Sequence, residues 1–151
     1  MLKIISGGQT GVDRAALDAA LTLGISCGGY CPKGRKSEDG VISRKYPLTE
    51  TKTDRYPERT ELNVKSSDGT LILIMNAADR GTSLTIDLCK RYNKSFLVVD
   101  FSNENQGIDV KRWMQENDVS ILNIAGNRES ISPGIQKKAY GFLCDCLKIN
   151  Q

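Results

Sequence analysis

"LKIISGGQTGVDRAALDAALTL", Leu2 to Leu23, is the stretch whose reading decides the fold. Leu2 to Ser6 is a short apolar run and reads as a buried strand. Glycines 7, 8 and 11 then supply a tight turn, where the chain needs conformations or close approaches that a Cβ would resist. From about Val12 to Leu23 the apolar residues Val12, Ala15, Ala16, Ala19, Ala20 and Leu23 recur on one helical face. Their small size lets such a helix sit close against a sheet. Thr10 and Asp13 have the spacing of a capping box, with Asp in place of the usual Glu or Gln.

The same unit recurs along the chain. "TLILIM" (Thr70 to Met75) reads as a second buried strand, and "SLTIDLCKRY" as a helix with Leu84 and Leu88 inward. "SFLVVD" (Ser95 to Asp100) is a third strand, followed by a helical stretch near Val110 to Glu116, and "VSILNIAG" (Val119 to Gly126) is a fourth. Ser132 is expected to cap a last helix with Pro133 at its first position and Ile135, Ala139, Phe142, Leu143 and Cys146 inward. Continuous apolar strands alternating with helices predict βαβ units: an α/β, doubly wound, Rossmann-like domain spanning residues 1–151, its sheet mainly parallel and covered on both faces. The segment from Cys27 to Glu61 breaks the rhythm, with three of the four prolines and many charges. It is too long for an idle connector and is expected to be a functional excursion carrying a short strand or helix.

Composition narrows the function. The 151 residues are 39% hydrophobic and 26% charged with a formal charge of +3, the profile of a soluble globular protein with no bias toward nucleic acid. Trp113 and the tyrosines show no spacing suited to stacking bases. No signal peptide or membrane span is expected, which makes the cytoplasm the expected compartment. Five cysteines, at 27, 31, 89, 144 and 146, form no CxxC and are read as reduced thiols, so no metal site is expected. With no histidine in the chain, Ser/His/Asp and Cys/His nucleophilic machinery is excluded.

Ligands of open parallel sheets bind beyond the carboxyl ends of the strands. Polar chemistry collects there: "GGQTGVD" after the first strand, "NAADRGTSLT" after the second, and "NIAGNRES" at the end of the fourth. Three such loops side by side would aim N–H groups, hydroxyls and arginines at one point, and the guest they suit is a phosphate or another oxyanion. The helix starting near Val12 is the expected seat, with Gly8→Val expected to block the approach while sparing the fold. Lys33, Arg35 and Lys36, grouped around Gly34 in "CPKGRKSEDG", suit the same anion, or form a solvated charged loop.

"GGQTGVDRAALDAAL", "GGYCPKGRKSEDGVI" with "YPLTET" behind it, "ERTELNVKSSDGTLIL", "RGTSLT" and "LNIAGNRESISPGI" resemble, in order and spacing, the molybdenum carrier proteins, circularly permuted relatives of the YpsA type. These lie within a wider Rossmann-like group that includes lysine-decarboxylase-like and cytokinin-activating proteins. The resemblance runs from about Lys3 to Ile135. It implies a homo-oligomer, a tetramer, that binds the molybdenum cofactor (molybdopterin) and delivers it unchanged to a molybdoenzyme. Residue by residue it implies ligand-facing roles for Gly7, Gly8, Gln9, Thr10, Gly11 and Asp13, for Lys33, Gly34 and Arg35, for Gly81 and Thr82, and for Gly126, Arg128 and Ser130. Arg80 stands where the family usually has a glycine and is counted with the ligand-facing residues, its charge expected to strengthen phosphate binding or to block close approach; Asn127 stands where the family commonly has proline, so a less rigid loop is expected there.

Relatives that cleave nucleoside monophosphates use a glutamate shortly after a glycine–threonine pair, whereas Gly81 and Thr82 are followed here by Ser83, Leu84, Thr85 and Ile86. No catalytic residue is assigned, and a carrier is favoured over a hydrolase or a nucleotide-sensing domain. Asp13, Asp79 and Asp87 keep the hydrolase open as the alternative.

Overall fold

The computed structural model describes residues 1–76, 78–103 and 107–148, so residue 77 of the "NAADRGTSLT" loop lies outside the described residues. Strand β1 (Lys3–Ile5) runs into helix α1 (Val12–Leu23), whose buried side includes Val12, Ala15, Ala16, Leu17, Ala19 and Ala20. The helix stops at Gly24, which adopts the left-handed φ of 69° and returns its N–H to the carbonyls of Ala20 and Leu21. The other large elements are β7 (Gly69–Ile74), α3 (Arg80–Arg91), β8 (Ser95–Asp100), α4 (Val110–Glu116), β9 (Ile121–Gly126) and α5 (Ile135–Leu147).

The excursion begins with a fifth sheet strand, β2 (Ser26–Gly28), and holds β3 (Tyr30–Cys31), the antiparallel pair β4 (Lys36–Ser37) and β5 (Gly40–Val41), and β6 (Thr49–Glu50). It leads into a full helix, α2 (Tyr56–Ser66). Leu17, Cys31, Ile42 and Tyr46 form its own small core against α1, and the Tyr46 hydroxyl donates to Asp18 Oδ1 at 2.6 Å.

The main sheet has the order β2-β1-β9-β7-β8, and every pairing within it is parallel. Counted from β9 as first strand, with β1, β2, β7 and β8 following, this order reads 3-2-1-4-5, that of a doubly wound dinucleotide-binding sheet. Leu71 and Leu73 of β7 and Leu122 and Ile124 of β9 join α1, α4 and α5 in the largest core cluster. Val64 of α2 packs with Leu88 and Cys89 of α3 in a separate one. Helices thus cover both faces, with α1, α4 and α5 in one layer and α2 and α3 in the other. Among the described residues no helix is long and apolar enough to cross a membrane.

Three helix starts differ from expectation. The residue preceding α1 is Gly11, with φ 81° and no side-chain cap, because Thr10 turns its hydroxyl elsewhere. Helix α3 starts at Arg80, capped by Asp79, whose Oδ1 accepts from Thr82 N at 2.8 Å, so Arg80, Gly81 and Thr82 are its first turn and not a loop. Helix α5 starts at Ile135, after Gly134 with φ 91°, and Ser132 does not cap it. The carboxylate of Glu129 takes that role from outside, accepting from Gly134 N at 2.7 Å and Gln136 N at 3.0 Å. On α5, Phe142 and Cys146 are half-buried, whereas Leu143 is fully enclosed.

Candidate functional site

A cavity of about 510 Å³ opens on the α2/α3 face, over β9 and the loop after β1. Its position matches the carboxyl-end crevice of an open parallel sheet. The β1–α1 loop contributes Gly7 and Gln9, and the first turn of α1 Asp13; β9 and the turn after it contribute Asn123 through Gly126, then Arg128; and the start of α3 contributes Asp79, Arg80 and Gly81. Tyr56, Arg59, Thr60 and Asn63 of α2 close the far wall, and Leu84 and Ile131 add apolar surface.

Seven of the residues selected from sequence therefore meet at this cavity: Gly7, Gln9, Asp13, Arg80, Gly81, Gly126 and Arg128. Asp13 is 8% exposed. Burial pushes its carboxyl above the ordinary 3.8, against the pull of the Arg59 guanidinium and the Gln9 N–H. Arg59 Nη1 lies 3.4 Å from Asp13 Oδ2 and donates to the Gly7 carbonyl at 3.1 Å, while its guanidinium stacks 5.2 Å from the centre of the Tyr56 ring. A Cβ on Gly7 would run into Arg59 Nη1 and come within 2.9 Å of Asp13 Oδ2, so glycine here makes room for the ion pair.

Beside the cavity, Thr10 and Ser130 meet a carboxylate. Glu38, between β4 and β5, accepts from the Thr10 hydroxyl, from Ser130 N at 3.2 Å and from the Ser130 hydroxyl at 2.5 Å, with Arg128 Nε at 3.6 Å. Desolvation pushes this carboxyl up, but the Ser130 and Thr10 hydrogen bonds outweigh it and hold Glu38 below its ordinary value. Gln9 ties the cluster together, its Oε1 accepting from Thr10 N at 3.0 Å and Glu38 N at 2.9 Å.

The start of α1 spends its donors inside the protein. Val12 N donates to Asn127 O, Gly11 N to Gln136 Oε1 and Arg14 N to Gln9 O. Gly8, with φ 81°, packs against Ile42 and Leu48 and not on the cavity; a larger residue there strains the backbone and disturbs the excursion. Gly8→Val is thus not the clean ligand block expected from sequence. A Cβ on Gly11 would strike the backbone of Asn127 and Arg128, and one on Gly126 would strike Leu73 O, so these two glycines allow chain crossings. Asn127 is fully buried, accepts from Met75 N at 2.9 Å through Oδ1, and pins β7, β9 and α1 together. The loop expected to be less rigid is cross-braced.

Helix α3 presents a different start. Arg80 and Gly81 are exposed at the cavity edge, and the Thr82 hydroxyl is buried with no hydrogen-bond partner among the described residues. Lys33, Gly34 and Arg35 lie outside the cavity lining. Arg35 is 6% exposed and commits its guanidinium to the carbonyls of Ile42, Ser43, Leu48 and Tyr46, holding the excursion closed.

Sequence reading assigned no site role to Arg59, Glu38, Asn63 or Asn123. Asn63 pairs with both backbone groups of Tyr30, at 2.8 and 3.0 Å, as a strand would. Asn123 on β9 donates to Thr70 Oγ1 at 3.2 Å. The available signal was "RYPERTEL", where Pro57 lies in the first turn of a helix with Arg59 and Asn63 four apart, on neighbouring turns of one face.

Residues 4–147 match the circularly permutated YpsA SLOG family. The chain is 39% identical to a crystal structure described as "Putative molybdenum carrier protein" from Syntrophus aciditrophicus SB, with a TM-score of 0.87 over 95% of this chain and 92% of that one. Among curated proteins none matches. The sheet order that becomes regular when counted from β9 is what a permuted chain of this kind produces.

Proposed function

Because the chain belongs to the circularly permuted YpsA SLOG family, we propose that it is a carrier that holds the molybdenum cofactor as cargo in the cavity between α2 and α3. The observation that carries this reading is the convergence of Arg59, Arg80 and Arg128, from three different elements, on one cavity with apolar surfaces at Tyr56, Leu84 and Ile131. About 510 Å³ falls within the usual range for small-molecule sites, and apolar surface with a few charged groups suits a ring system bearing a phosphate. Arginine is the side chain best shaped for phosphate oxygens. The cargo's metal brings its own dithiolene sulfurs, so the lining need supply only phosphate and ring contacts. The likeness to a protein called a molybdenum carrier supports the same choice.

In this reading the phosphate lies at the Arg128 side of the cavity, and the first turn of α3, where Arg80 and Gly81 face the cavity, receives the rest of the ligand. The protein works in the cytoplasm as a homo-oligomer and passes its cargo to a molybdoenzyme.

One observation favours a second reading, hydrolysis of a nucleoside monophosphate. Asp13 is a buried carboxyl, raised above its ordinary value, facing the same cavity. The two are separated by incubating the protein with molybdenum cofactor and, separately, with a nucleoside monophosphate. A carrier returns the cofactor unchanged at one per site and frees no base; a hydrolase frees base and loses that activity on Asp13→Asn.

A further inference from the structure

We propose that Glu38 is a built-in competitor for the ligand's anionic group: the turn between β4 and β5 holds its carboxylate among Thr10, Ser130 and Arg128, and an incoming phosphate displaces it. The proposal rests on the carrier reading for where the phosphate comes from, and adds how the site is regulated.

The surroundings of Glu38 are those of an anion site already filled. Two hydroxyls, one backbone N–H and one guanidinium, contributed by two separate loops, converge on its two oxygens. Thr10 and Ser130 lie 28 and 92 residues from Glu38 in sequence, so the carboxylate is placed by the tertiary fold and not by a local turn.

This filled cradle adjoins the cavity through shared residues. Arg128 lines the cavity and faces Glu38 at 3.6 Å, longer than a strong ion pair and with its side chain 41% exposed. Gln9 lines the cavity and accepts from Glu38 N. Tyr56, on the opposite wall, carries Lys36 Nζ of the same hairpin 5.1 Å from its ring centre. Three lining residues are thus held by one six-residue hairpin, residues 36–41.

Only the Glu38 side chain has to move. Its neighbour Asp39 is fixed to Arg14 by bonds of 2.6 and 3.2 Å, with Ser37 also donating to Asp39, so the hairpin stays anchored when Glu38 swings out. A phosphate carries close to two charges at neutral pH and three acceptor oxygens, against one charge and two oxygens for the carboxylate. It can therefore satisfy all the donors that Glu38 releases. A neutral ring compound cannot, and leaves Glu38 in place. The contact both lowers affinity for anions in general and keeps Arg128 paired while the site is empty.

The test uses inorganic phosphate as probe, titrated calorimetrically into the wild type, Glu38→Gln and Glu116→Gln; the last removes an equal charge from an exposed pair with Arg112. The expected result is about fivefold tighter phosphate binding in Glu38→Gln and no change in Glu116→Gln. Equal or weaker binding in Glu38→Gln, equal tightening in both variants, or no phosphate binding by any of the three proteins at millimolar concentration would overturn the proposal. If Glu38→Gln does not fold, carbon NMR of the wild type decides: the Glu38 carboxyl resonance is expected to shift with added phosphate, and a resonance that stays fixed refutes displacement. Failure of the cofactor to co-purify would count against the carrier reading and leave this titration unaffected.

Discussion

The guanidinium of Arg59 stands 3.4 Å from the Asp13 carboxylate with both side chains almost out of solvent, and this pair joins α2 to the first turn of α1. Two charges in such a place are compensated by each other and by the Gly7 carbonyl and Gln9 N–H. Removing one leaves the other stranded. Arg59→Met is expected to cost about 3 kcal/mol in urea unfolding at neutral pH, because a lone buried carboxylate must be neutralised or hydrated. A loss below about 1 kcal/mol would mean that the pair behaves as a surface bridge.

Asp13 and Asp39 are expected to give opposite pH dependences. The folded value of Asp13 lies above its unfolded 3.8, so its contribution to stability is complete below 3.8 and is lost as pH rises through the folded value. Hydrogen bonds from Arg14 and Ser37 hold Asp39 down to about 2. Its contribution is present above 3.8 and is lost as pH falls through about 2. Unfolding free energies across the acid range are therefore expected to show the gap between wild type and Asp39→Asn closing toward low pH. For Asp13→Asn the balance moves in the variant's favour as pH rises. The Asp39 effect is small, since its side chain is half exposed.

Arg35 holds four carbonyls with one planar fork, and a lysine cannot reproduce that geometry. Arg35→Lys is expected to destabilise the protein by about 2 kcal/mol. Hydrogen exchange should report the loss first around residues 42–48, where the carbonyls it holds lie. Unchanged protection there would contradict the structural role given to Arg35.

Gly81 has open space around it: a Cβ would meet only Asp79 Oδ1, at 3.7 Å. In the first turn of α3, Gly81→Ala is expected to raise stability by about 0.5 kcal/mol, as alanine restricts the unfolded chain. The same methyl group narrows the cavity at the start of α3, so cofactor binding should weaken while the melting temperature rises. A variant that binds as well as wild type would move the ligand away from α3.

These residues also mark what a sequence can and cannot convey. Helix α1 was readable to the residue because its burial is apolar and periodic, and β7 because all six of its residues are buried. Helix α2 was not, since it buries only Asn63 and Val64 and is held by polar contacts that leave no apolar period. In the charged excursion the lysines and arginine drew attention as anion ligands, yet the side chain of the β4–β5 hairpin that reaches the β1–α1 loop is the acid Glu38. Charge along a chain identifies no partner 92 residues away. Arg35 was misleading for a related reason: with φ 55° it turns inward, and its guanidinium is spent on carbonyls.

The central claim is that the cavity bounded by Arg59, Arg80 and Arg128 carries a phosphate-bearing pterin. Native mass spectrometry of protein purified without oxygen, with metal analysis of the same sample, tests it most directly. The account predicts a pterin phosphate released intact together with molybdenum, and loss of both from a protein carrying Arg80→Ala. Recovery of a nucleotide with no pterin and no molybdenum would contradict it.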